Sequence, residues 1–255
     1  MVNQQTLIIG ANSDIAKAIA RQTQLLNNIG LILVSRNLSY YSNESSHDQF
    51  VATETNNNPI KNITVKDYQT STIKKTVEDI ANNNEVPITK IFICHGLLHS
   101  NTIQPEKKLE AFDANAFQEI MNVNALTPML WLQHLVPVLS HKMPIKIVVF
   151  NARVGSISDN RSGGWYSYRA SKAALNMLLK TAAIELSRRA KNIKIISFHP
   201  GTTDTPLSKP FHKNVPNNKL FTPDFVAQQL LQIVENSIID GEASYLDWKG
   251  ESINW

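Results

Sequence analysis

The chain has a single cysteine among 255 residues, Cys94, which excludes an intramolecular disulfide framework and fits a reducing compartment. Cys94 closes the apolar run Ile91-Phe92-Ile93-Cys94 and is expected as a buried strand residue rather than a nucleophile. Runs of Lys or Arg are also missing. The 25 basic and 21 acidic residues are scattered, and the net charge of +4 leaves no nucleic-acid or membrane patch. An anionic small molecule remains an acceptable partner. The opening residues Met1-Val2-Asn3-Gln4-Gln5 lack a basic stretch and lead into an apolar segment too short for a signal peptide or membrane span, so a cytoplasmic location is expected. Repeats are absent, and no metal site is read. The nearest approach to low complexity is the Ser-, Asn- and Thr-rich stretch from Tyr40 to Asn58, read as a poorly specified helix or loop.

What is present is a globular mixture, 42% apolar and 18% charged, enough to build a core within one domain spanning residues 1–255. Short apolar runs recur at Leu7-Ile9, Leu31-Val34, Ile91-Cys94, Ile145-Phe150, Ile193-Phe198 and Ser244-Leu246, with a less apolar candidate edge strand near Ile60-Val65. Between them lie segments with helical spacing: Ser13-Asn27, Ser71-Asn82, Asn115-Leu139, Ser167-Ala190 and Pro223-Asn236. Continuous apolar strands alternating with helices are the pattern of a parallel sheet covered on both faces. The expected class is α/β, a doubly wound Rossmann fold, with seven parallel strands in the order 3-2-1-4-5-6-7. Thr202 to Thr222 carries Pro206, Pro210 and Pro216 and reads as a long irregular connection of the kind that forms lids.

The first strand runs directly into Gly10-Ala-Asn-Ser-Asp-Ile-Ala16 and then into a helix pattern. Such a strand, turn and helix start can hold a dinucleotide pyrophosphate on free backbone N–H groups, which makes Gly10, Asn12, Ser13 and Ile15 candidate cofactor residues. A structural turn is the competing reading. Asp14 helps the helix dipole but would repel a phosphate if it faced inward. The second strand ends in Ser35-Arg36-Asn37, with Arg36 where a basic side chain pairs with the extra phosphate of NADP and an acidic one would select NAD. NADP is therefore the expected cofactor, with NAD as the second choice.

The segment Gly163-Gly-Trp-Tyr-Ser-Tyr-Arg-Ala-Ser-Lys-Ala-Ala-Leu-Asn176 sets Tyr168 and Lys172 four residues apart, on one helix face. A tyrosine is a poor acid or base near neutrality unless a positive charge stabilises its anion, and Lys172 can supply one. The Tyr-x-x-x-Lys spacing within Ala-Ser-Lys-Ala-Ala-Leu resembles the signature of the short-chain dehydrogenase/reductase family. That resemblance implies hydride transfer between a nicotinamide cofactor and a carbonyl or alcohol substrate. Tyr168 is then the proton donor, and Lys172 also holds the nicotinamide ribose. The resemblance further implies a proton-relay role for Asn124 and an adenine contact for Asp67. It places Gly96 at the last glycine of the family's Asn-Asn-Ala-Gly segment, and puts Pro200, Gly201, Thr202 and Thr205 around the nicotinamide carboxamide.

Two family marks are altered. Of the glycine-rich loop only Gly10 remains, with Asp14 and Ala16 at the later glycine positions. Ala152 occupies the place of the catalytic serine by local alignment, whereas chain separation from Tyr168 points to Ser156, and Asn151 is a third candidate for the oxyanion donor. The run from Arg153 to Asn160 followed by Gly163-Gly-Trp resembles a subgroup likened to a bacterial developmental signalling protein called C-factor. By the same resemblance, the helices at Ala125-Leu139 and Ala173-Leu186 pair subunits into a homodimer or homotetramer. The alternative function is a non-catalytic nucleotide-binding signalling or regulatory module on the same fold.

Overall fold

A computed structural model of the chain describes residues 2–41, 58–139 and 142–255, without the side chains of residues 214 and 217. The β-branched runs form a seven-stranded sheet ordered β3-β2-β1-β4-β5-β6-β9. These strands are β1 (Gln4–Ile9), β2 (Ile29–Ser35), β3 (Ile60–Thr64), β4 (Ile88–Ile93), β5 (Ile145–Phe150), β6 (Ile193–His199) and β9 (Ala243–Asp247), and every pairing is parallel. The order is the one the sequence pattern predicts. All of β2 is buried, whereas β3 alternates between part-buried and exposed residues, as an edge strand does.

Helices cover both faces. On one side α2 (Thr70–Asn82), α4 (Thr127–Leu135) and α5 (Tyr166–Arg189) bury Ile73, Trp131, Leu135, Leu175 and Leu179 against the sheet. On the other, α1 (Asp14–Gln24) and α6 (Pro223–Asn236) pack on each other and bury Ile19, Val226, Leu230 and Val234 over Phe92 and Phe198. At the opposite end of the sheet from the cleft described below, Lys90, Lys146 and Lys194 stand side by side in register on β4, β5 and β6. Lys90 and Lys146 reach the carboxylate and the carbonyl of Glu235, at 2.9 and 2.8 Å, in the last turn of α6. That turn has no basic residue of its own, so the sheet supplies the positive charge its dipole favours.

Three expectations are corrected in detail. The helix predicted over Asn115-Leu139 is divided into α3 (Ala114–Met121), a π-helical turn over Asn122–Leu126, α4 and a 3-10 turn over Val136–Val138. Pro128 has no N–H and its ring crowds the carbonyl four residues earlier, that of Asn124. The backbone widens there instead of breaking, and Thr127 donates to the Asn122 carbonyl from both its amide and its hydroxyl. Secondly, Thr202 to Thr222 is more ordered than a proline-rich connection suggests. β7 (Thr202–Thr203) pairs in parallel with β8 (Leu220–Phe221) across a 3-10 helix at Lys209–Asn214. Thirdly, Cys94 lies one residue past β4 and is only half-buried. Of the polar stretch Tyr40 to Asn58, residues 42–57 lie outside the described residues.

Candidate active site

A cleft of about 300 Å³ opens where β1, β4, β5 and β6 end, at the point where the chain order reverses. Its first wall is the β1–α1 turn. Gly10 has φ of 76°, and a Cβ there would lie 3.1 Å from the Cys94 carbonyl oxygen, so the surviving glycine sits where both conformation and space demand one. Ser13 caps α1 by accepting the Ala16 amide at 3.3 Å. The amides of Asp14 and Ile15, in the first turn, have no intrahelical partner, and both residues line the cleft with Asn12 and Ser13. Lys17 holds the Asp14 carboxylate at 3.3 Å and offsets part of its charge.

The opposite wall is α5. Tyr168 and Lys172 are both buried, one turn apart, and both line the cleft. The Lys172 ammonium lies 5.7 Å from the centroid of the tyrosine ring and donates to the Phe150 carbonyl at 3.0 Å. Burial pushes the Tyr168 hydroxyl above its usual range and lowers Lys172 to about 7. Gly155 permits this packing: a Cβ on it would stand 2.8 Å from Lys172 backbone and side-chain atoms. The start of α5 is fixed by Glu106, which sequence reasoning missed. Its buried carboxylate accepts from the Ser167 amide and hydroxyl, and its carbonyl accepts the Trp165 amide at 2.6 Å. A contact across 61 residues leaves no local sequence signal.

The remaining expected residues divide. Gly96, Pro200, Gly201 and Thr205 line the cleft, while Thr202 pairs in β7 outside it. Arg36 is exposed at the tip of β2, with its guanidinium 5.3 Å over the Tyr68 ring. Asp67 spends its carboxylate on the Gln69 amide at 3.0 Å and on Thr72, which holds it below the usual carboxylate range. Asn124 is fully buried in the π turn and clamps Leu97, accepting its amide at 2.7 Å and donating to its carbonyl at 2.8 Å and to Ser171 at 3.0 Å. It thus fixes the loop after β4 rather than touching Lys172.

Of the two candidates for the missing serine, Asn151 lines the cleft and Ser156 does not. The buried Ser156 hydroxyl accepts the Asp159 amide at 3.2 Å, and Ser156 does not line the cleft. Asn151 donates from its side chain to Asn176 at 2.6 Å and to Ser197 at 2.9 Å, and accepts the Ala152 amide at 2.8 Å. The Ser156 hydroxyl thus lies away from the cleft beside Asp159, and the Asn151 amide is hydrogen-bonded to Asn176 and Ser197. Ala152, without a hydroxyl, stands at the end of β5.

Lining residues outside the expected set include His95, Thr203, Leu207 and Ser208. His95 is buried with Nε2 unpartnered, and burial beside Arg36 and Lys172 lowers it to about 3, so it is neutral. The arrangement fits a dinucleotide: a glycine cradle, free first-turn amides and an unpartnered buried imidazole line one side, and a Tyr–Lys pair the other.

A doubly wound sheet with a Tyr–Lys helix across its switch-point cleft defines a nicotinamide-type oxidoreductase scaffold. Residues 4–216 match the sequence model of the family described as short chain dehydrogenase, and the chain belongs to that family. A 1-hydroxy-2-glutathionyl-2-methyl-3-butene dehydrogenase of Rhodococcus is 30% identical over 145 residues, 57% of this chain and 61% of the relative. The C-signal protein of Myxococcus xanthus is 28% identical over 133 residues, 52% and 75% of the two chains. A benzil reductase of Bacillus cereus is 24% identical over 251 residues, 90% and 93% of the two. Among solved structures, the carbonyl reductase Sniffer of D. melanogaster superposes with a TM-score of 0.79 at 18% identity over 100% of both chains. A Burkholderia multivorans short-chain dehydrogenase/reductase with bound NADP gives 0.76 at 20% identity over 99% and 100%. At these identities the structural likeness speaks for the fold.

Proposed function

We propose that the chain, as one domain over residues 1–255, is an NADPH-preferring carbonyl reductase acting on a small neutral carbonyl compound. The observation that carries this reading is the buried Tyr168–Lys172 pair facing the free first-turn amides of α1 across one cleft. Gly10, Asn12, Ser13 and Ile15 would hold the pyrophosphate, Arg36 the 2′-phosphate, and Gly96, Pro200, Gly201 and Thr205 the nicotinamide side. When bound, the nicotinamide supplies the hydride.

The residues of the chain supply the proton. Burial keeps Tyr168 protonated at neutral pH, so its resting form is the acid that reduction needs rather than the base that oxidation needs. Burial makes Lys172 easier to deprotonate in the free chain, and an anionic ligand beside it favours the ammonium, which stabilises the tyrosinate left when the proton passes to the carbonyl oxygen. Asn124 serves as a positioning residue through Leu97.

Arg36 and the NADP-bound structural neighbour support the cofactor preference. Exposed Leu126, Met177, Leu178 and Ile184 support pairing through α4 and α5 into a homodimer or homotetramer. Among the described residues no helix is long and apolar enough to cross a membrane, and the lone cysteine supports a cytoplasmic setting. The lack of a cleft-facing hydroxyl at Ala152 favours a second reading, a nucleotide-binding signalling module. Titration with NADPH and NADH, followed by a screen of carbonyl compounds for loss of NADPH absorbance, separates the two. Tight NADPH binding with no turnover of any carbonyl would leave only the second.

A further inference from the structure

Tyr168 and Lys172 belong to a longer stripe: Asn176 stands one further turn along the same face of α5 and is buried. Its side chain joins a buried network that the proton chemistry does not use. The carboxamide oxygen accepts the Asn151 amide at 2.6 Å and the Ser197 hydroxyl at 2.9 Å. The carboxamide nitrogen donates to the Gly155 carbonyl at 3.4 Å and reaches the Tyr245 hydroxyl. Tyr245 in turn donates to the Ala152 carbonyl at 2.6 Å. Asn151 follows β5, Ser197 lies in β6 and Tyr245 in β9, so one side chain ties three neighbouring strands to the Tyr–Lys helix.

Two accepted and two donated bonds use the whole capacity of a carboxamide; a carboxylate of the same shape cannot donate, and leucine can do neither. Stability alone does not call for this arrangement, since apolar side chains of matching shape hold strands to a helix as well as a buried polar network does. What a satisfied network adds is a single fixed geometry. That geometry converges on the Tyr–Lys pair. The Asn151 amide also reaches the Lys172 carbonyl at 3.3 Å, while the carbonyl of the preceding residue, Phe150, holds the Lys172 ammonium at 3.0 Å. Gly155, whose carbonyl Asn176 holds, lies so close to Lys172 that a Cβ would stand 2.8 Å from it. Tyr168, pushed up chiefly by burial, is pushed further by Tyr245.

We propose that Asn176 is a positioning residue for the proton step: through Asn151 and Gly155 it holds the Lys172 ammonium at its distance from the Tyr168 ring, with Tyr245 as the far end of the same network. Its place in catalysis rests on the reductase reading; its hold on Lys172 does not. Neither Asn176 nor Tyr245 lines the cleft, so both act through their neighbours. The titratable groups that face the Lys172 ammonium are Tyr168 on its own helix and His95 after β4, both uncharged at neutral pH. A loosened network admits water to this dry site, and water favours the ammonium.

The test compares the wild type with Asn176→Leu, which removes every bond of the carboxamide, and Tyr245→Phe, which keeps the ring and deletes its hydroxyl. Turnover is read with NADPH and 4-nitrobenzaldehyde. The ionisation of Lys172 is read without cofactor, by carbon-13 NMR of lysine-labelled protein with the resonance assigned through Lys172→Met. Asn176→Leu is expected to lower kcat by about 10- to 100-fold, the cost of a displacement of about 1 Å, and to move the Lys172 midpoint up from about 7 toward 10.5. Tyr245→Phe is expected to lower kcat by about 3- to 10-fold and to move the midpoint the same way by less. An unmoved midpoint in both variants overturns the proposal whatever the turnover, even if the melting temperature falls, because a purely structural network changes stability alone. Full kcat in variants whose midpoint has moved overturns it as well. Should Asn176→Leu fail to fold, Tyr245→Phe decides on the same two readouts. If the wild type reduces no carbonyl compound yet the midpoint moves in the variants, the reductase reading fails and the hold of Asn176 on Lys172 stands.

Discussion

The two walls of the cleft have drifted from the family pattern in opposite ways. At the α1 wall two of three marker glycines are gone, yet the turn, the cap and the free amides are all in place. At the α5 wall Tyr168 and Lys172 are intact, yet Ala152 stands where the family pattern has a serine, and the Asn151 amide is bonded to Asn176 and Ser197. The contrast follows from what each wall is made of. Phosphate is held by backbone N–H groups, which any residue supplies if the turn can form. Proton transfer needs a particular hydroxyl and a particular ammonium, which no backbone provides.

The largest break in this comparison should come at the side-chain wall. Tyr168→Phe keeps the ring and deletes the acid, so turnover should fall roughly 10²- to 10⁴-fold with NADPH affinity unchanged by calorimetry. Full turnover on an identified carbonyl substrate would remove Tyr168 from the mechanism.

Next in size is the cost of burying Lys172. Its folded value near 7 lies below the ordinary 10.5, so the folded chain binds fewer protons than the unfolded chain between those values. Stability therefore rises with pH across that window, and the cost is fully present below about 7. In the free protein, Lys172→Met should add about 1–4 kcal/mol at pH 6 by urea unfolding, with the gain shrinking toward pH 10.5. A gain independent of pH would assign the effect to packing instead. The same variant should be inactive, which separates stability from function at one residue.

At the backbone wall the effects should be smaller, and the larger of them should fall on the basic side chain at the tip of β2. Arg36→Ala should weaken NADPH by roughly 10- to 100-fold, the worth of a hydrogen bond to a charged group, and leave NADH nearly unchanged. Equal losses for both cofactors would show that Arg36 acts through Tyr68 stacking rather than through the phosphate.

The smallest change tests whether the eroded loop is tolerated. Asp14→Asn removes a charge that favours the helix start by about 0.3–1 kcal/mol but opposes an anion. NADPH should bind about two- to fivefold more tightly while the melting temperature falls slightly. Weaker binding would mean that Asp14 contributes a contact to the cofactor.

Much of this was legible in advance because it depends on local pattern. The strand order, the edge character of β3, the Gly10 turn and the Tyr168–Lys172 face all follow from period, propensity and spacing. Asn124 was legible as a residue of consequence but not in its action, since its partners Leu97 and Ser171 come from the β4 loop and α5. For Ser156 the chain separation from Tyr168 was legible, but not its setting after the 3-10 turn at Arg153–Gly155, where its hydroxyl accepts the Asp159 amide.

By itself the sequence determined the architecture: alternating apolar runs and helical periods leave one parallel, doubly wound solution, and a Tyr and a Lys four apart must share a helix face. Tertiary structure alone decided the chemistry around that face. Glu106 reaching across to Ser167, Gly155 admitting Lys172, burial lowering that lysine to about 7, and Phe211 arriving over Trp165 are all contacts between distant segments. Local spacing records which residues can point the same way, whereas desolvation and long-range packing set what they can do there, and those arise only once the chain has closed on itself.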